Sequence, residues 1–144
     1  MNYTDYFNDI DKRLTLKPDN IDIIVYDAPN IQNELIKQYI KEKTKLLKLE
    51  IKFNKIYGEK FHHYRHESDL RCENKDVANL YVKKDEEYIA VFEEYEKQKL
   101  LIEMFDKYLK RAGNIGFDLK NIIDYLKFMN GEHWWIDMNL QIDI

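Results

Sequence analysis

The chain has 144 residues, the size of one domain, with 44% hydrophobic and 35% charged side chains and only four Gly and two Pro, a balance that favours long helices with solvated faces over a strand-rich sandwich. A single cysteine, Cys72, excludes an intramolecular disulfide framework and a cysteine-built zinc finger and fits a reducing cytosol, and there is no apolar run of the roughly 18 residues that a membrane span needs. The net charge of −4 is unevenly spread: residues 30–66 carry nine basic against four acidic side chains, net +5, and the segments on either side are acidic.

Met1 to Phe7 lacks the basic-then-apolar pattern of a signal peptide. Residues 4–13 read as a short helix with Thr4 or Asn8 as its cap, and Pro18-Asp19-Asn20 as a turn. Ile21, Ile23 and Val25 alternate with Asp22 and Ile24, which predicts an extended segment ending at Asp27-Ala28-Pro29. A first long helix is predicted from about Asn30 to about Tyr57, because Leu35, Tyr39, Leu46, Leu49, Phe53, Ile56 and Tyr57 recur at helical spacing. Gly58 costs such a helix roughly 1 kcal/mol against Ala and marks its earliest end. A connection is expected near Glu67 to Asn74.

A second long helix is predicted from about Lys75 to about Arg111. Tyr81, Tyr88, Tyr95, Ile102 and Leu109 lie seven apart, and Lys84, Val91, Gln98, Phe105 and Ala112 follow each by three, an a/d register with polar breaks at Lys84 and Gln98. Such a stripe serves either a coiled coil between copies, with Tyr81, Tyr88, Val91, Tyr95, Ile102, Phe105 and Leu109 as oligomerisation residues, or a helical hairpin within one monomer. Ala112-Gly113-Asn114-Ile115-Gly116 breaks the helix, with a left-handed stop expected at Gly113. Asp118 is then the expected cap of a third helix, with Phe117 and Ile122 as a hydrophobic staple, an apolar face of Leu119, Ile122, Ile123, Leu126 and Met129, and Gly131 at its end. From Trp134 to Ile144 apolar and polar residues alternate, as in a half-buried strand. An unpaired apolar strand is an aggregation hazard, so this tail is expected to pair, with Ile21 to Val25 the available partner in the same or a neighbouring subunit.

The expected architecture is therefore mainly α: a bundle of long helices with a coiled-coil-like second helix, a short third helix and a small β pairing of terminal segments. Residues 1–144 form one helical domain, with a basic region at 30–66, oligomerisation helices at 75–131 and an extension at 132–144.

The first long helix carries Lys37, Lys41, Lys45, Lys48, Lys52 and Lys55. At about 100° per residue they occupy a sector of roughly 80°, opposite the apolar residues. The row reads either as the solvated face of an amphipathic helix or as a track for phosphates, and a track of this kind ignores sequence because it does not reach base edges. Lys60-Phe61-His62-His63-Tyr64-Arg65-His66 interleaves cations with aromatic rings, which suits a single strand whose phosphates meet charge and whose bases stack. Eleven Tyr and seven Phe suit base stacking and subunit interfaces alike. His62 and His66 have a metal-ligand spacing, and Glu67 and Cys72 would have to complete the site. No nucleophile–base–acid set, phosphate-binding glycine loop or paired acidic cluster is present, so no catalytic residue and no cofactor is expected.

The order of these features resembles the UvsY-type recombination mediators of T-even-like phages over about residues 5–131. The likeness rests on the turn around Pro29 before a long basic helix, the aromatic and basic segment ending in Tyr64, the helix from near Lys75, and the break before Gly116-Phe117. It is clearest in Asp118-Leu119-Lys120-Asn121-Ile122-Ile123, running to Phe128 and Gly131. The resemblance implies a ring-shaped homo-oligomer, hexamer or heptamer, in the host cytoplasm. It implies binding to single-stranded DNA, to a RecA-like phage recombinase and to the phage single-stranded-DNA-binding protein, and loading of recombinase without ATP hydrolysis. The family's DNA-binding motif is a basic-x-basic pair flanked by Leu just before Tyr-Tyr. Here Lys60 matches its second basic residue and Tyr64 its second Tyr, whereas Gly58 and His63 replace the other two. The expected DNA contacts therefore shift upstream, to Lys37, Lys41, Lys45, Lys48, Lys52 and Lys55, with Lys60, Tyr64 and Arg65. The competing reading is a helical coiled-coil scaffold or adaptor that binds no nucleic acid; a metal-dependent enzyme built on the histidines is the third.

Overall fold

The structure, a computed structural model, describes residues 2–67 and 74–130. Among these the chain forms five α-helices and no strand: α1 (Tyr3–Leu14), α2 (Ile21–His62), α3 (Lys75–Lys84), α4 (Glu86–Gly113) and α5 (Ile115–Met129), with a π-helical turn over His63–Glu67. The mainly α expectation is met. The tail from Trp134 and its β pairing lie outside the described residues, as does Gly131.

The proposed partner of that pairing is not extended. Ile21 to Pro29 forms the first turns of α2, which continues through Pro29 and Gly58 to His62. The alternation of Ile21, Ile23 and Val25 misleads because Ile23 is 62% exposed and Val25 42%, whereas Ile24, the residue that broke the pattern, is 3% exposed. Ile24, Ala28, Ile31 and Leu35 are buried at spacings of four, three and four, a helical row. Burial of that row outweighs the roughly 3 kcal/mol that a proline costs inside a helix. Asn20 braces the entry: its Oδ1 accepts the Lys17 N–H at 2.7 Å, its Nδ2 donates to the Thr15 carbonyl at 3.2 Å, and its own carbonyl accepts the first helical bond from Ile24.

The described residues fold as two compact units, one made of those up to Leu35 with those from Tyr108 to Asn130, the other of those between Ile36 and Lys107. In the first unit, α1 is capped by Asn2, whose Oδ1 accepts the Thr4 N–H at 3.0 Å, not by Thr4 or Asn8. Phe7 stacks on Tyr108 with ring centres 4.8 Å apart, and Asp11 accepts from the Tyr108 hydroxyl at 2.9 Å and from Arg111. Burial among Tyr108's neighbours, then the Asp11 bond, raises its phenol above the ordinary value. α5 begins earlier than expected. Ile115 is buried and anchors it, Asn114 is its first flanking residue, and the Asp118 N–H already bonds to the Asn114 carbonyl. Asp118 therefore sits in the first turn, where its charge favours the helix dipole. Gly113 ends α4 without the left-handed backbone expected of it. Phe117 is exposed and forms no staple, and Ile123, Tyr125, Leu126, Phe128 and Met129 are exposed as well.

In the second unit, the helix expected from Lys75 to Arg111 is two helices, broken at Asp85. The Asp85 backbone is extended, and its Oδ1 accepts the N–H groups of Glu87 at 3.0 Å and Tyr88 at 3.2 Å. It is the N-cap of α4, and Glu86 and Glu87 behind it complement the positive end of the helix dipole. Tyr81 consequently lies on α3, where it stacks on Tyr64, and does not continue the α4 stripe.

That stripe is used within the chain. Tyr88, Val91, Ile102 and Phe105 are buried. Phe53 of α2 contacts Tyr88 and stacks on Tyr95, and Tyr39 meets Phe105 edge to face. Within one copy Tyr88, Tyr95 and Phe105 thus pack against α2 in an α2–α4 hairpin, one of the two uses that the heptad pattern allows. Gln98, the polar break, has a buried partner: its Nε2 donates to the Glu42 carboxylate at 2.8 Å and to the Glu42 carbonyl at 2.9 Å, and Glu42 is 1% exposed.

Candidate nucleic-acid interface

With Tyr39, Phe53 and Tyr57 of α2 turned to α4, the helix presents its lysines to solvent. Lys37, Lys41, Lys45, Lys48, Lys52 and Lys55 are all exposed. They rise along about 27 Å of helix at roughly 1.5 Å per residue. Lys45 also reaches back to the buried Glu42 carboxylate at 3.1 Å, which fixes one ammonium of the row. Beside the row a shallow trough is lined by Lys45, Lys48, Leu49 and, from α4, Lys97, Gln98 and Glu94. Lys97 therefore adds a cation to this face from the facing helix, which no spacing within α2 reveals.

The aromatic and basic segment is arranged differently. Lys60 lies off the lysine row and pairs with Glu87 at 2.9 Å and Asp85 at 3.5 Å. The bond to Glu87, ahead of the charge of Asp85, holds its ammonium above the ordinary range. The Tyr64 hydroxyl donates to Asp85 at 2.7 Å, and that bond, reinforced by burial, raises the phenol. Burial pushes Asp85 upward, but the bonds from Tyr64 and the Tyr88 N–H and the charge of Lys60 outweigh it, and its carboxyl lies below the usual 3.8. Lys60 and Tyr64 thus clamp the end of α2 to the start of α4. Arg65 is half-buried on the π-helical turn.

The rings of His62 and His66 lie 5.0 Å apart at a tilt of 50°, and Glu67 lies 3.3 Å from His62 and 3.7 Å from His63. Among the described residues no group of three or more His, Cys, Asp or Glu is arranged to hold a metal ion; Cys72 lies outside them. No described helix is long and apolar enough to cross a membrane.

No protein-family model matches the sequence, and no curated protein does. The arrangement of helices, in contrast, has close structural relatives. The crystal structure of the bacteriophage T4 recombination mediator protein UvsY in lattice type II superposes with a TM-score of 0.78, over 90% of this chain and 98% of UvsY. The fold is that of UvsY. A second UvsY crystal structure, lattice type IV, superposes with a TM-score of 0.73 over 90% of this chain and 99% of UvsY. The sequences are only 15% and 14% identical to UvsY in these superpositions, so what is shared is the course of the backbone. The likeness to UvsY seen in the order of sequence features is a likeness of fold.

Proposed function

We propose that this protein is a recombination mediator of the phage type. It binds single-stranded DNA along the lysine face of α2 and promotes loading of a RecA-like recombinase onto DNA covered by single-stranded-DNA-binding protein. It acts in the host cytoplasm as a homo-oligomer, a ring of hexamer or heptamer size, and not as an enzyme. One observation carries the reading: an exposed row of six lysines on a helical fold shared with a phage recombination mediator.

The physics supports a weak site made strong by repetition. Lysines of one α2 neutralise several phosphates and release their counterions, without reading bases. Repeating the row in an oligomer lets one long strand engage several rows, which multiplies affinity despite the net charge of −4. Titration of a fluorescent oligothymidine tests this: affinity is expected to fall steeply with salt. Absence of binding at low salt by folded protein refutes the DNA reading and leaves the helical scaffold.

A further inference from the structure

The second unit exposes two apolar rows that the hairpin leaves uncovered. On α2, Ile36, Ile40, Leu47 and Ile51 are 39–70% exposed, with Ile40 at 59%. At about 100° per residue they fill a sector of roughly 60°, apart from both the lysine row and the buried face. On α4, Ile89, Phe92, Leu100 and Met104 are 37–61% exposed, with Leu100 at 61%. Phe92 stands at the edge of the hairpin, its ring centre 5.8 Å from that of Phe53 of α2, and Ile89, Leu100 and Met104 continue the row away from it.

The two rows match each other. Each spans the same number of residues, 36 to 51 and 89 to 104, about 22 Å at 1.5 Å per residue. Each has a gap of two turns at its middle, filled by charge of opposite sign. Lys43 lies between Ile40 and Leu47; Glu93 and Glu96 lie between Phe92 and Leu100. Glu103 adds a further negative charge along the α4 row, Lys107 lies beyond it, and Lys99 is held by Glu96 at 3.4 Å and by the Tyr95 ring. An acidic apolar row repels DNA and anionic lipid, and its length, spacing and charge fit the α2 row.

We infer that the α2 row of one copy of this chain docks on the α4 row of the next, head to tail, with Lys43 against Glu96. Two different surfaces meet in such a contact, so every copy keeps one free row on each side and the assembly grows until it closes. The contact leaves the lysine row, in its separate sector of α2, open to solvent. The inference rests on the oligomer of the proposed function and not on DNA binding.

The test is light scattering on two variants at exposed positions, Ile40→Asp and Leu100→Asp, with circular dichroism to confirm folding. Each alone is expected to drop from the mass of an assembly to that of one chain. An equal mixture is expected to run as a dimer, because the intact α4 row of the Ile40→Asp copy fits the intact α2 row of the Leu100→Asp copy. A wild-type chain that is monomeric, single variants of unchanged mass, or a mixture that stays monomeric overturns the inference. Should either variant fail to fold, Lys43→Glu and Glu96→Lys serve instead: each alone shrinks the assembly and both in one chain restore it, and failure of that restoration overturns it too. Oligothymidine titration of the wild type, measured separately, reports on the DNA reading and does not depend on these outcomes.

Discussion

At the scale of single residues, the same amino acid types play opposite parts according to what they touch. Gly58 lies inside α2 with nothing within 4 Å of where a Cβ would stand. Gly58→Ala is therefore expected to stabilise the protein by about 1 kcal/mol, seen as a higher thermal midpoint, since only the backbone entropy of glycine is at issue. Asp85 gathers Lys60, Tyr64 and two backbone N–H groups. Its folded carboxyl titrates below the ordinary 3.8, so its contribution to stability is complete above that value and fades as pH falls through the lowered one. Asp85→Asn keeps a capping oxygen but loses the charge. It is expected to cost about 1–2 kcal/mol at neutral pH, and in urea unfolding the gap between the two proteins should begin to close only as pH falls below about 4. A gap of constant size across that range would assign Asp85 a capping role alone.

At the scale of elements, the α2–α4 hairpin is set by aromatic packing and by one polar contact. The buried Glu42 carboxylate faces Gln98 across the hairpin and Lys45 along α2. Gln98→Leu fits the apolar surroundings but removes a donor from a buried charge, at an expected cost of about 1–3 kcal/mol. Denaturant unfolding measures it; a Gln98→Leu protein as stable as the wild type would show the bond to be dispensable. How helical periodicity becomes an element was largely readable. Lysine spacing and the α4 heptads follow from the period of a helix, and the break near Gly113 from its glycines, all of which local sequence carries. Sequence pattern and structure part where burial overrides a local signal. Ile23 and Val25 alternate like a strand but face solvent, and Ile24 joins a buried helical row. The break at Asp85 had a signal in its acidic cluster, Asp85-Glu86-Glu87, but the heptad repeat ran straight across it.

At the scale of the whole molecule, function depends on which faces remain uncovered. If the lysine row tracks phosphates, its members contribute to salt dependence in proportion to the counterions released. Lys48, Lys52 and Lys55 changed together to Ala should lower the slope of log affinity against log salt by about 2, at roughly 0.7 per phosphate on a single strand. The three side chains are exposed, so thermal stability should hardly move. Lys60→Ala is expected to act the other way, loosening the Asp85 clamp more than the DNA contact. An unchanged slope in the triple variant would place the contacts elsewhere.

By itself, the sequence determined that the chain is helical, that α2 is amphipathic with a basic side, and that α4 carries a heptad stripe. All of these are properties of residues three, four or seven apart. Only the tertiary structure showed that Tyr88, Tyr95 and Phe105 of that stripe pack against α2 within one copy, because a hairpin and a seam between copies give the same pattern. It also decided that Lys60 and Tyr64 are held by Asp85, a contact 21 residues distant for Tyr64. And it left Ile40, Leu47 and Leu100 uncovered, which no periodicity distinguishes from core, since exposure depends on what the rest of the chain packs against.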